Sequence, residues 1–367
     1  MNPFRYGCVV DGENFCGRPE LQRQLKELLK SGQNIVVQGP RRMGKTSLVC
    51  ETVKSIRKVK MVYVDLFCVK TVGDFCRRTV AAVSKCGGRS FLDRTAELIR
   101  SLRPVIALDR DTGEPSITVD VKAARGVESV EEVMDMVAEQ SKRVPMCIVF
   151  DEFQDVVDLP DSDVVIAALR AKIQFLPAVP FVFLGSVRNR MREIFDSPKS
   201  PFFKSAITFE VGEIGRDALA KFLVDRFRIG ERRASEEVVG RIIAAANGIS
   251  GDVQELCETT WLVTERDAKL TLADVERGIE AVFMRESRAF GAAISKLTAV
   301  QLNVLKGLAE EKHPRPYSGD FLSEYGLKNV GSVTKALKRL MSDELIYEHQ
   351  GSFEFENPFF REWLRRR

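Results

Sequence analysis

The stretch QGPRRMGKTSLV, residues 38–49, decides how this chain of 367 residues is read. From Gly39 to Thr46 it fits GxxxxGK[ST], the pattern of a loop that wraps nucleotide phosphates. Glycines at Gly39 and Gly44 let the backbone come close to phosphate oxygens, with Pro40, Arg41, Arg42 and Met43 forming the turn between them. Lys45 has the reach to bridge the β and γ phosphates, and the Thr46 hydroxyl is a ligand for Mg2+. Ser47 follows in the opening turn of a predicted helix, SLVCETVKSI, whose N-terminal N–H groups and dipole favour an anion. A predicted strand, NIVVQ at 34–38, precedes the loop. That strand–loop–helix context makes a chance match improbable and names ATP or ADP with Mg2+ as the ligands.

Further strands follow at 60–66 (KMVYVDL), 146–151 (MCIVFD), 181–186 (FVFLGS) and 206–211 (AITFEV). Most are nearly unbroken apolar runs, as expected of strands covered on both faces, and helical patterns lie between them. The alternation predicts an α/β fold with a doubly wound parallel sheet. Between the second and third strands lie helical stretches near 72–84 and 128–143, and an inserted hairpin at about 104–121 that turns at DRDTG. From 214 to 293 the pattern is all helical, a lid. From 294 to 367 it reads helix, helix, helix, β-hairpin, which is a winged helix. The predicted domains are therefore 1–213, 214–293 and 294–367.

The strand MCIVFD runs into Glu152, so two carboxylates stand at its C-terminal edge, where ligands sit in open α/β sheets. Asp151 is the candidate Mg2+ carboxylate, and Glu152 the base that takes a proton from an attacking water. Lys45 joins Glu152 in the catalytic set, and so does Ser186, at the end of the next strand, as a γ-phosphate sensor or water-positioning group. The alternative role for Ser186 is to cap the following helix. Arg188, Arg190 and Arg192 are read as a solvated helix face before an arginine finger.

In the winged helix, Val333, Ala336, Leu337 and Leu340 share an apolar face, which leaves Lys335, Lys338 and Arg339 for a DNA backbone. Glu348, Glu354 and Glu356 make the wing acidic, a poor match to a DNA backbone that would repel it, so a winged helix used for packing or protein contact stands beside the DNA reading. Double-stranded DNA and a protein partner or self-association both stand as expectations. Phe359, Phe360 and Trp363 are read as packing the last helix onto the module.

Composition excludes other classes. Hydrophobic residues make up 44% and charged residues 29%, and Lys plus Arg (56) against Asp plus Glu (52) gives +4, too mild to demand nucleic acid. The eight cysteines form no CxxC pair and only two histidines are present, so no zinc spacing appears and reduced thiols are expected. MNPFRYGCVVDGENF lacks an apolar run after a basic start, and no apolar stretch reaches membrane-spanning length, so a cytoplasmic chain is expected.

The segments FCGRPELQRQLKELL, VVQGPRRMGKTSLV, CIVFDEFQ and FLGS together resemble the prokaryotic archaeal-type P-loop ATPases of the AAA+/STAND class, related to origin-recognition initiator ATPases. SPKSPFFKSAITFEV and the tail FEFENPFFREWLRRR are similar to further segments of that family. The resemblance implies an AAA+/ASCE-type sheet, a nucleotide-dependent conformational switch, and Gly17 and Arg18 near the adenine, with Phe15, Glu20 and Leu21 in the same element. It implies paired arginines at Arg41 and Arg42 as a mark of the family. Two positions depart from it. Lys204 stands where relatives carry an arginine, and Gln254 stands where initiators carry a lid arginine. With less positive charge on the transition state, slow or partner-stimulated hydrolysis is expected.

Overall fold

The computed structural model describes residues 1–86, 104–108, 115–119, 126–185, 188–349 and 351–367, which divide into two compact units, Asp11–Gly212 and Met1–Val10 with Glu213–Arg367. In the first unit, β1 (Ile35–Gln38), β2 (Lys60–Asp65), β5 (Met146–Asp151), β6 (Phe181–Leu184) and β7 (Ile207–Glu210) form one sheet in the order β2-β5-β6-β1-β7. All neighbouring pairs are parallel. Every residue of β1, β5 and β6 is buried, which explains their unbroken apolar runs, whereas the edge strands β2 and β7 alternate or face solvent. One strand, β6, stands between the strand of the phosphate loop and the strand that ends at Asp151.

Helix α1 (Pro19–Lys30) precedes β1, and α2 (Lys45–Lys54), α3 (Val72–Ser84), α4 (Gly126–Ser141), α5 (Ser162–Ile173) and α6 (Arg188–Phe195) lie in the crossovers. Thr71 caps α3 by accepting the Asp74 N–H on its side chain. The strands β3 (Pro104–Leu108) and β4 (Pro115–Val119) form an antiparallel hairpin with Ile106 opposite Ile117, a separate sheet that does not join the five. Phe150, Phe153, Phe181, Phe183, Phe195 and Phe202 form one block of ring contacts along β5 and β6, with Phe153 and Phe183 ring centroids 4.7 Å apart. The block includes Phe150 and Phe153, which flank the carboxylates Asp151 and Glu152 in the chain.

The second unit begins with α7 (Arg216–Ile229), α8 (Glu236–Ala245), α9 (Ser250–Leu262) and α10 (Leu272–Ser295). Helices α9 and α10 approach closely at Gly278, where a Cβ would lie 2.4 Å from the Thr260 hydroxyl. The first ten residues belong here, although the sequence pattern places all of 1–213 in one domain. Phe4 packs edge-on against Phe227 at 4.5 Å, and the Pro3 carbonyl accepts from Arg226 at 2.8 Å. A short terminal stretch with one apolar anchor carries no periodicity, so nothing in the sequence announces this docking.

Next come α11 (Ala299–Glu310), α12 (Gly319–Glu324), α13 (Val330–Ser342), β8 (Ile346–His349), β9 (Ser352–Phe355) and α14 (Pro358–Arg365): a winged helix with one further helix. Phe359, Phe360 and Trp363 are buried, and Phe290 of α10 contacts Phe360 and Trp363 at 5.1 and 5.4 Å. These aromatics therefore join the winged helix to α10 as well as packing α14.

Candidate functional site

The phosphate loop runs from β1 into α2. Gly39 has φ 157° and passes so close to β7's exit that a Cβ would sit 2.4 Å from the Val211 carbonyl oxygen. Gly44 has φ 77° at the N-cap of α2, a left-handed conformation that glycine adopts without strain. Arg42, at φ 62°, is also left-handed and exposed, whereas Met43 turns inward and is buried. Arg41 is half-buried, Pro40 likewise, and Ser47 is buried in the first turn of α2. The Lys45 ammonium lies inside the loop, donating to the carbonyls of Gly39 at 3.0 Å and Pro40 at 2.8 Å.

The loop meets the end of β5 through one hydrogen bond, in which the Thr46 hydroxyl donates to Asp151 Oδ2 at 2.8 Å. Asp151 is buried and collects two more donors. Tyr63 donates its hydroxyl to the same oxygen at 2.7 Å, and the Glu152 N–H donates to Oδ1 at 2.9 Å. Burial raises the Asp151 carboxyl above its ordinary value, and the bonds from Tyr63 and Thr46 oppose that rise. Glu152 is half-buried and held at φ 52°, a left-handed turn that starts the 3-10 segment Phe153–Asp158. Its carboxylate accepts from the Gln154 side-chain amide at 2.5 Å. Among the described residues no cluster of three or more His, Cys, Asp or Glu side chains converges on a metal position. A hydroxyl hydrogen-bonded to one carboxylate beside a phosphate loop fits Mg2+ nonetheless, because that ion keeps several waters and takes few protein ligands.

Tyr63 and Gln154 escape a reading of the sequence. An aromatic in an edge strand looks like packing, and a glutamine two residues past the carboxylate it bonds has no distinguishing pattern. The register Asp65↔Asp151 and Tyr63↔Val149 sets Tyr63 beside the carboxylate.

Gly17 is exposed and Arg18 buried at the start of α1, which packs on α2. The two terminal guanidinium nitrogens of Arg18 are buried without a hydrogen-bond partner among the described residues, and that burial lowers its basicity. Ser186 lies outside the described residues. Arg190 pairs with Asp158 at 2.6 Å, and Arg192 is exposed. Lys335, Lys338 and Arg339 are in the other unit, all exposed on α13, with Arg339 paired to Asp343 at 2.8 Å. All eight cysteines are free thiols, and among the described residues no helix is long and apolar enough to cross a membrane.

Comparisons with known proteins agree with this architecture. A family model described as "Probable winged helix domain" matches residues 288–366. No curated protein matches the chain in sequence. Among solved structures, the Walker-type ATPase of Pyrococcus abyssi superposes with a TM-score of 0.71 at 17% identity, covering 99% of each chain. The ORC2 protein of Aeropyrum pernix, solved as ADPNP-ADP complexes, gives a TM-score of 0.56 at 16% identity over 95% of this chain and 90% of its own. The ORC1 protein of Aeropyrum pernix in complex with DNA gives 0.52 at 15% identity over 96% and 93%. The chain thus has the fold of the Walker-type and ORC ATPases: a parallel five-stranded sheet with a phosphate loop, followed by helices and a C-terminal winged helix.

Proposed function

We propose that this protein binds ATP with Mg2+ and hydrolyses it slowly, as a nucleotide-dependent switch of the AAA+/STAND kind that associates with double-stranded DNA. The observation that carries this reading is the 2.8 Å bond from Thr46 to Asp151, which joins the phosphate loop to a strand end bearing a second carboxylate, Glu152. Lys45 would exchange its loop carbonyls for the β and γ phosphates, and the Gly39–Ser47 backbone would supply N–H donors to them. Thr46 and Asp151 would hold Mg2+, which when bound offsets negative charge on the phosphates. Glu152 would take a proton from water as that water's oxygen bonds to the γ phosphorus. The bond from that phosphorus to the bridging oxygen breaks, leaving ADP and inorganic phosphate.

Gln254 in the lid, where initiators carry arginine, supports slow turnover, and the two-unit architecture supports a switch whose units reorient between nucleotide states. We retain the lid at 214–293 and the winged helix at 294–367 as separate domains, and Gly17 and Arg18 as neighbours of the adenine. The solved relatives with DNA and with adenine nucleotides support both ligands. Exposed Lys335 and Lys338 favour DNA, whereas the acidic wing, with Glu348 and Glu354, favours a second reading in which the winged helix binds protein.

The test is release of inorganic phosphate from ATP by wild type and by Glu152→Gln, with and without duplex DNA. Turnover that DNA stimulates and Glu152→Gln abolishes is expected. Turnover indifferent to DNA favours the protein-binding reading, and equal phosphate release by wild type and variant overturns the assignment of Glu152.

A further inference from the structure

We propose that Tyr63 is a positioning residue for the metal site, fixing Asp151 so that its carboxylate and the Thr46 hydroxyl face one ion. The inference deepens the proposed function, since it rests on reading Thr46 and Asp151 as the Mg2+ pair.

Three segments meet on one carboxylate. Asp151 Oδ2 accepts from Thr46 at 2.8 Å and from Tyr63 at 2.7 Å, while Oδ1 accepts from its neighbour's N–H at 2.9 Å. Thr46 has a single hydroxyl proton. With that proton on Asp151, the lone pairs of its oxygen are left for a cation. The arrangement works only while the carboxylate keeps its plane. Without Tyr63, Oδ2 is held by Thr46 alone, the same group the metal would engage.

Tyr63 is suited to the task by its strand. Val62 and Val64 point into the core and are almost fully buried, so Tyr63 lies on the opposite face of β2, the strand against which α2 packs. Its ring is half-buried, so the hydroxyl has little freedom to leave. Burial, then the charge of Asp151, push the phenol well above its ordinary value. Partners behind a metal ligand typically change metal affinity by about 10- to 100-fold when removed.

The experiment measures binding of a fluorescent ATP analogue to the full-length protein, in EDTA and across a Mg2+ titration, for wild type and Tyr63→Phe. Phenylalanine keeps the ring and removes the hydroxyl. The expected result is that Tyr63→Phe needs about 10-fold more Mg2+, or more, to reach half of the metal-dependent gain, with unchanged affinity in EDTA. Equal Mg2+ midpoints overturn the inference while leaving the Mg2+ reading intact. Equal losses in EDTA and in Mg2+ also overturn it, since the tyrosine would then only pack the loop. A wild type that binds the analogue equally with and without Mg2+ overturns the metal reading and the inference with it.

Discussion

The side-chain amide of Gln154 donates to the Glu152 carboxylate over 2.5 Å, from a position only 3% exposed. A Cβ at Gly185 would lie 2.8 Å from the Gln154 amide oxygen and 2.5 Å from Met191, so that side of the amide is walled by the end of β6 and by α6. Glu152 is thus constrained twice, by a left-handed backbone at φ 52° and by a donor that is itself packed in place. We expect Gln154→Leu to keep nucleotide affinity and to lower phosphate release by on the order of 10- to 100-fold, the scale of a misplaced reacting group. Steady-state kinetics check this: the loss should fall in kcat and leave KM for ATP unchanged.

The phosphate loop makes a second, steric prediction. Gly39→Ala would put a Cβ against the Val211 backbone oxygen, 2.4 Å away, at a φ of 157°. Backbone cannot move aside as a side chain can, so the loop or β7 must shift. A cost of about 1–3 kcal/mol is expected from the strain alone. Thermal melting should show it in nucleotide-free protein, and equilibrium binding should show the ATP analogue no longer retained.

How far the sequence announces this molecule depends on what each residue touches. Strands β1, β5 and β6 are legible because burial on both faces leaves an unbroken apolar run. Gly39, Gly44, Lys45 and Thr46 are legible because close approach to phosphate admits few residue types. Tyr63 and Gln154 reach the site from the neighbouring strand and from a 3-10 turn, by register and packing, which a linear pattern does not encode. The docking of Phe4 on Phe227 joins residues far apart in the chain through a single aromatic pair, so it leaves no local mark. The hairpin is visible from its turn residues, but nothing in them says whether its strands join the main sheet.

Glu276 ties three helices of the second unit together. It accepts from Arg241 of α8 at 2.6 Å and from Arg366, just beyond α14, at 3.0 Å, and Arg366 also reaches Glu280 at 2.7 Å. Burial works to raise the Glu276 carboxyl, but the hydrogen bonds from Arg366 and Arg241 outweigh it and hold it below the ordinary 4.5. A depressed carboxylate stabilises the fold above its unfolded value, and that contribution is lost as pH falls through the folded one. Arg366→Ala should therefore destabilise at neutral pH, by about 1 kcal/mol given the solvent exposure of the pair. Urea unfolding at pH 7 and pH 3.5 should show the gap between wild type and variant closing on acidification.

The exposed face of α13 separates three cations by what else holds them. Arg339 is committed to Asp343 at 2.8 Å, whereas Lys335 and Lys338 are exposed and form no ion pair among the described residues. A lysine free of internal partners loses only water on meeting a phosphate, so its whole charge is available to displace counterions. Removing Lys335 and Lys338 together should weaken duplex binding for any sequence and reduce the slope of log affinity against log salt by about 2, one for each phosphate that the variant leaves unneutralised. Arg339→Ala should change the slope less, because breaking its pair with Asp343 offsets part of the gain. Fluorescence anisotropy of a labelled duplex across a NaCl series reads both. A slope that stays the same in the double variant would mean that α13 does not meet the DNA backbone, and would shift the winged helix to the protein-binding reading.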